Sequence, residues 1–340
     1  MNSHDDTAAA RQLLDLINAS WVAQACYVTA RLGIADLLAS GPRTAEELAA
    51  ATGANGPALR RLLSALGSVD ICAQRDDGSF EMTGLGELLR TDVPGSMRAW
   101  TLQWGGEAWQ VWANLLHSVR TGQSARTLMS GTAGFAHLER DPEAAQIFNQ
   151  AMVDLTRLAA LSIARAYDFS GLRVMDVGGG YGELLARILT TYPSAQGVLF
   201  DMSHAISKAR DHLSRRGLAG RCEFVVGDFF ASVPAGSDVY VMKTVIHDWP
   251  DEPACDILRA CRRAMAPGAR LLIIERLMPE RLLPSAENRA LARVDLHMLV
   301  ALGAQERTER EMRALLGSAG FQQVRRIETE SEFQILETQL

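Results

Sequence analysis

Apolar positions in the first forty residues recur at helical spacing: Leu13, Leu14, Ile17 and Trp21, then Val28, Leu32, Ile34, Leu37 and Leu38. That rhythm predicts helix over 8–40. Thr44 with Glu47 three positions on is a capping box that starts a further helix, and Gly53 ends it. Pro57 sits in the first turn of the next helix, 57–66. "ICAQRDDGSFEMT", residues 71–83, is two short strands about an Asp-Asp-Gly turn. Helix, turn, helix and hairpin make a winged-helix module. Residues 97–165 are helical in pattern and rich in large side chains: Trp100, Trp104, Trp109, Trp112, Phe135, Phe148 and Met152. Gly and Ser interrupt the segment at 121–134, and Asp141-Pro142 opens a long helix to about 166.

From 171 the period changes. "LRVMDV", "QGVLFD", "CEFVVGD", "DVYVMK" and "ARLLIIE" are short β-type runs, each followed by a helix-like segment or a loop. This alternation predicts a mostly parallel sheet with helices on both faces. "TEREMRALLGSAGF" is one more helix, and "QQVRRIETE" and "EFQILET" pair as an antiparallel hairpin. The expected fold is α/β: a Rossmann-like domain over 169–340, a helical connector over 96–168, and the winged-helix module over 1–95.

Charge narrows the partners. The net charge is −6, and residues 1–90 hold seven arginines, no lysine and eleven carboxylates. A DNA-binding helix-turn-helix shows a basic face; here Arg60 and Arg61 are a thin patch. The module reads better as a packing platform, for instance against a second copy, than as a nucleic-acid reader. Cys26, Cys72, Cys222, Cys255 and Cys261 form no C-x-x-C pair, which argues against a zinc site or a disulfide framework. No apolar run approaches the ~18–20 residues of a membrane span, and the first twenty residues carry no signal-peptide pattern. A cytoplasmic protein with no membrane partner is expected.

"VMDVGGGYGELL", residues 174–185, places four glycines within five positions after a strand. Ligands of such sheets lie beyond the carboxyl ends of the strands, and glycine lets backbone approach them closely. A dinucleotide loop wants G-x-G-x-x-G, but Glu183 stands at the third glycine, beside the place of a pyrophosphate. The pattern present is Asp176, Gly178, Gly180, Gly182, an acid leading the loop. That suits a cofactor with a cationic part. Asp201 ends the second strand, where a carboxylate binds ribose hydroxyls. Asp228 ends the third, placed for an adenine amino group, with Phe229 beside it to cover a ring. One aspartate at a strand end is ordinarily a helix cap; three at consecutive strand ends point to S-adenosylmethionine (SAM), a nucleoside without phosphates that carries a positive charge.

"DVGGGYG", "FDMS", "GDFF", "VMKTVIHDWPDE", "LLIIERLMPE" and "GAQERTEREMRALLGSAGF" follow in order. With these motifs the chain resembles SAM-dependent O-methyltransferases of the plant caffeate/hydroxyindole type and their bacterial natural-product relatives, over nearly its whole length. "HDWPDE" with a lysine four residues upstream is the specific part. Two departures are small: Tyr181 where a smaller residue is usual, which bears on cofactor access, and "FDMS" for the more usual "FDLP". The resemblance implies a winged-helix dimerisation domain and hence a homodimer, with SAM as cofactor and no metal. It gives Gly178, Asp201, Asp228, Phe229 and Lys243 as cofactor-binding residues, beside Asp176 and Gly180 of the loop, and Trp249 as an aromatic near the adenine. Lys243 also reads as a cap on strand carbonyls. His247 matches the catalytic base, and Glu275 and Glu306 the acids that flank it. Of the seven histidines, only His247 follows a sheet strand with two acids after later elements.

The implied chemistry is consistent physically. A protonated phenol is a poor nucleophile, a neutral histidine in reach can take its proton, and a carboxylate orients that histidine. The acceptor cavity, expected between the two domains, has Trp100, Trp104, Phe148, Met152, Leu155, His297 and Met298 as its candidate walls. That lining suits a hydroxylated aromatic ring; His297 and Met298 read equally as core. The leading expectation is an O-methyltransferase acting on a phenolic or enolic hydroxyl of an aromatic secondary metabolite. N- or C-methylation, a SAM-binding relative with repurposed chemistry, and a ligand-sensing winged-helix regulator are the alternatives.

Overall fold

The structure is a computed structural model that describes residues 3–340, with side chains from residue 7. The chain separates into two compact units, one up to Trp109 and one from Gln110 to Leu340.

The N-terminal unit begins with the helix Ser3–Leu32 and continues through Ile34–Leu38, Ala45–Thr52 and Gly56–Gly67. The capping box forms as expected: Glu47 N–H donates to Thr44 Oγ1 at 3.2 Å and Thr44 N–H to Glu47 Oε2 at 2.7 Å. Asn55 caps the next helix by accepting from Ala58 N–H at 3.0 Å. The wing is the hairpin β1 (Cys72–Gln74) and β2 (Phe80–Met82). Ile34, Leu38, Leu48, Leu59, Leu63, Leu66 and Phe80 make one buried cluster. The first helix has an apolar stripe left open in the single chain: Leu13, Leu16, Ile17 and Trp21 are 58, 67, 61 and 69% exposed.

In the second unit, the helix Pro142–Ala166 leads into β3 (Arg173–Val177), β4 (Gln196–Asp201), β5 (Cys222–Val226), β6 (Val239–Lys243) and β7 (Arg270–Glu275). Two short strands, β8 (Leu277–Met278) and β9 (Arg307–Thr308), pair in parallel. The hairpin β10 (Val324–Glu328) and β11 (Gln334–Gln339) ends the chain. The seven-stranded sheet has the order β10-β11-β7-β6-β3-β4-β5, parallel except that β11 runs antiparallel to both neighbours.

Strand side chains alternate faces, and the alternation builds two cores. Met175, Val177, Tyr240, Met242, Leu271 and Ile273 face the helices Asp251–Ala264 and Glu309–Ser318. Val174, Val239, Val241, Leu272 and Ile274 face Pro142–Ala166, Glu183–Thr191 and Ser203–Ser214. Both sides are covered, so the central strands read as continuous apolar runs. The order reverses between β3 and β6, and the crevice beyond their carboxyl ends is where such sheets hold ligands. Among the described residues no helix is long and apolar enough to cross a membrane.

Candidate active site and cofactor crevice

Two loops meet at that switch point. The first follows β3. Gly178 has φ +72°, and a Cβ there would lie 3.0 Å from Val245 and 3.7 Å from Phe229. At Gly179 a Cβ would stand 2.5 Å from the Asp176 carboxyl carbon. The Asp176 carboxylate therefore sits beneath the loop, 3% exposed, with Oδ2 lacking a hydrogen-bond partner among the described residues. Burial, with Asp201 nearby, raises it to about 7. Asp201 holds the loop from its flank: Oδ2 accepts from Gly180 N–H at 2.7 Å and Oδ1 from Met202 N–H at 2.6 Å. Burial raises its pKa also.

Glu183, the residue that spoils a dinucleotide pattern, turns away to the helix Ser203–Ser214. There it meets His212 at 2.9 Å and Arg216 at 2.5 Å. Tyr181 is buried.

Asp228 Oδ1 accepts from Phe230 N–H at 2.9 Å, so it caps the turn after β5. Phe229 and Phe230 stand edge-on to Trp249, with centroids 6.1 and 4.7 Å away. Trp249 Nε1 is buried and has no hydrogen-bond partner among the described residues. Lys243, ending β6, donates to Thr156 Oγ1 at 3.3 Å and lies 4.5 Å over the Phe333 ring. Burial lowers it to about 8, and Arg276 adds to the effect.

The second loop follows β6. Thr244 takes φ +51°, a strained conformation for a β-branched residue, and its N–H donates to Ile274 O at 3.0 Å. The next three N–H groups, of Val245, Ile246 and His247, all donate to Glu275 Oε1 at 3.2, 3.0 and 3.3 Å. Arg307, 2% exposed, holds the same turn from its other side. It donates to Ile246 O at 3.1 Å, Trp249 O at 2.7 Å and Asp251 Oδ1 at 2.8 Å. The β8–β9 pairing, with Leu277 opposite Arg307, brings that arginine and Glu306 to the site. Glu306 N–H donates to Asp295 Oδ1 at 2.9 Å, after the helix Ala286–Leu302 closes on a left-handed Gly303.

So placed, the His247 ring is 7% exposed among carboxylates. Nδ1–H donates to Glu306 Oε1 at 2.8 Å, with Glu275 Oε2 3.7 Å away. On the other ring nitrogen, Nε2 is 3.3 Å from Asp248 Oδ1. Burial alone opposes the imidazolium, but Glu306, Glu275 and Asp248 override it and raise His247 to about 10. Burial raises Asp248 to about 7, while His247 lowers Glu306 against its own burial.

The structure thus brings together His247, Glu275 and Glu306, and the two acids serve differently: Glu306 binds the ring and Glu275 chiefly the backbone. Sequence reasoning missed Asp248, which stood inside the quoted motif beside His247, and Arg307, between the two acids of "ERTE". It also missed Thr156, for which no local signal existed.

Phe148, Met152 and Leu155 lie half-buried on one stripe of Pro142–Ala166, and Phe148 meets Phe135 at 5.4 Å. His297 Nδ1 accepts from Trp112 Nε1 at 3.0 Å and the rings stack; burial lowers its pKa to about 3. Met298 is buried. Trp100 and Trp104 belong to the N-terminal unit and pack edge to face, centroids 5.5 Å apart.

The crevice fits SAM. Buried carboxylates with raised proton affinity suit a cation, a partnerless indole N–H and aromatic rings suit an adenine, and side-chain-free backbone suits close approach. With Glu306 accepting the Nδ1 proton, replacing it by glutamine should lower the His247 pKa. A ¹H–¹³C NMR titration should show an imidazolium persisting past pH 8 in the wild type and a clearly lower midpoint in Glu306→Gln. Equal midpoints near the ordinary value of about 6.5 would remove the electrostatic role given to the carboxylates.

Residues 14–92 match the family described as O-methyltransferase dimerisation domain, and residues 112–322 the O-methyltransferase domain. The phenazine O-methyltransferase PhzM of Lysobacter antibioticus is 43% identical over 327 residues, which span 96% of this chain and 94% of that protein. The 8-amino-8-demethylriboflavin N,N-dimethyltransferase of Streptomyces davaonensis is 37% identical over 325 residues, 94% of this chain and 92% of that one. The crystal structure of human N-acetylserotonin methyltransferase in complex with SAM superposes with a TM-score of 0.88 at 27% identity, covering 100% of this chain and 99% of the other. The chain therefore belongs to the O-methyltransferase family of SAM-dependent enzymes, with that family's dimerisation domain at its N-terminal end.

Proposed function

We propose that this enzyme methylates a phenolic or enolic hydroxyl of a small aromatic secondary metabolite, with His247 as the base, and that it works as a homodimer. The observation that carries the reading is the His247 ring, fixed through Nδ1 to Glu306 at 2.8 Å and set at the same sheet crevice as the glycine loop. Bound SAM supplies an electrophilic methyl on a sulfonium. Asp176, Gly178, Gly180, Asp201, Asp228, Phe229, Lys243 and Trp249 would hold it, with Thr156 beside Lys243.

Magnitudes favour a hydroxyl acceptor. An ordinary imidazole lies about 3–4 pH units below a phenol, so taking the phenol's proton costs roughly 5 kcal/mol. Raised to about 10, His247 matches a phenol. In the neutral form of the ring, which grows as pH rises toward that value, Nε2 takes the proton, and Glu306 and Glu275 stabilise the imidazolium that results. Asp248, against Nε2 at 3.3 Å, gives way to the acceptor oxygen. A neutral amine already presents its lone pair and needs no such base to begin attack, although a relative is named for N,N-dimethylation. The acceptor ring would rest against Phe148, Met152, Leu155, His297 and Met298. The stripe through Leu13, Leu16, Ile17 and Trp21 supplies the apolar surface for a second copy, because monomers rarely leave large apolar patches open.

Purified enzyme with SAM and a panel of hydroxylated and amino aromatics, read by mass spectrometry, should give +14 products from hydroxyl acceptors. Products from amines alone would overturn the acceptor class. Trp21→Glu should shift the wild-type dimer to monomer in light scattering at micromolar concentration; an unchanged dimer would show that this stripe is not the interface.

A further inference from the structure

Asn149 has no part in the chemistry above, yet it is a buried amide, 3% exposed, on the helix Pro142–Ala166. Its orientation is settled by its own bonds. Nδ2 donates to Ala145 O at 2.8 Å and faces His204 Nδ1 at 3.3 Å. That occupies the donor end of the amide. The acceptor end, Oδ1, is directed at the glycine loop and lies 3.8 Å from where a side chain on Gly180 would begin. Oδ1 accepts no hydrogen bond among the described residues, which leaves both its lone pairs open to a ligand in the crevice.

The surroundings select the missing donor. Gly180 N–H is already given to Asp201, and Asp176 and Asp201 make this end of the crevice negative. Of the two cationic groups of SAM, the sulfonium has no hydrogen to donate and the α-ammonium has three. We infer that Asn149 Oδ1 receives the α-ammonium of the cofactor's methionyl part, so that helix Pro142–Ala166 measures the amino-acid tail while the strand-end acids hold the nucleoside. The inference rests on the SAM-dependent assignment.

The test is binding by calorimetry, without turnover, of SAM, S-adenosylhomocysteine and 5′-methylthioadenosine, which lacks the amino-acid tail. Asn149→Ala should weaken the first two roughly 10- to 100-fold, the usual loss of a hydrogen bond to a charged group. Methylthioadenosine should bind as it does to the wild type. Asn149→Asp keeps an acceptor oxygen but loses the Nδ2 donor, so it should restore most of the SAM affinity even though the Ala145 bond is gone. Thermal unfolding of each variant reports any general loss of structure. Equal weakening of methylthioadenosine, or an Asp variant as poor as Ala, would overturn the assignment and leave Asn149 a packing residue. A wild type that binds none of the three would overturn the cofactor assignment along with it.

Discussion

Glu275 Oε1 receives three consecutive backbone N–H groups, from Val245, Ile246 and His247, and the geometry of the whole switch point hangs on that convergence. β6 would otherwise run on straight. The left-handed bend at Thr244 turns it, at a cost of about 1–3 kcal/mol for a residue of this type, and the carboxylate holds it turned. Arg307 grips the same turn by its carbonyls, so donors and acceptors of a buried loop are both satisfied. With the backbone fixed from two sides, the histidine has little freedom left, and Glu306 settles its ring.

This arrangement concentrates negative charge in a dry place. Breaking a buried charge pair by removing one partner costs about 3–5 kcal/mol, so Glu306 without His247, or His247 without Glu306, would be a liability to the fold. The compensation is chemical. The same carboxylates that make the site expensive raise the imidazole to the range of a phenol. They also keep the ring protonated at neutral pH, so activity should climb as pH rises toward that value. The glycine loop carries a parallel strain, with Asp176 and Asp201 both buried and both raised. A cationic ligand placed there would relieve both.

Much of this was legible in the chain. The short apolar runs named the strands of the large sheet because both faces of that sheet are covered, and the capping box at Thr44 named its helix because the motif is local. The strand-end acids and His247 were legible through their motif. The roles within the cluster were not. That Glu275 serves backbone and Glu306 serves the ring follows from where β8 and β9 bring residue 306, a pairing of two-residue strands with no periodic signal. That the Asp176 carboxylate stands beneath the loop, where Gly179 leaves room for it, was not legible either, because it depends on how the loop folds back over the strand end. Arg307 reads as one more surface arginine in a charged stretch, and only the fold buries it. Asn149 gave no signal, since its meaning depends on a loop thirty residues later.

The most direct test of the account is the rate of single-turnover methyl transfer by wild type and His247→Ala across acceptors of one shape and graded acidity. If His247 acts by taking the acceptor's proton, its loss should slow a phenol of pKa near 10 by roughly 10²- to 10⁴-fold. The defect should shrink steadily toward none for acceptors already ionised at the assay pH. A defect of the same size at every acidity would contradict the account and reduce His247 to a residue that shapes the site.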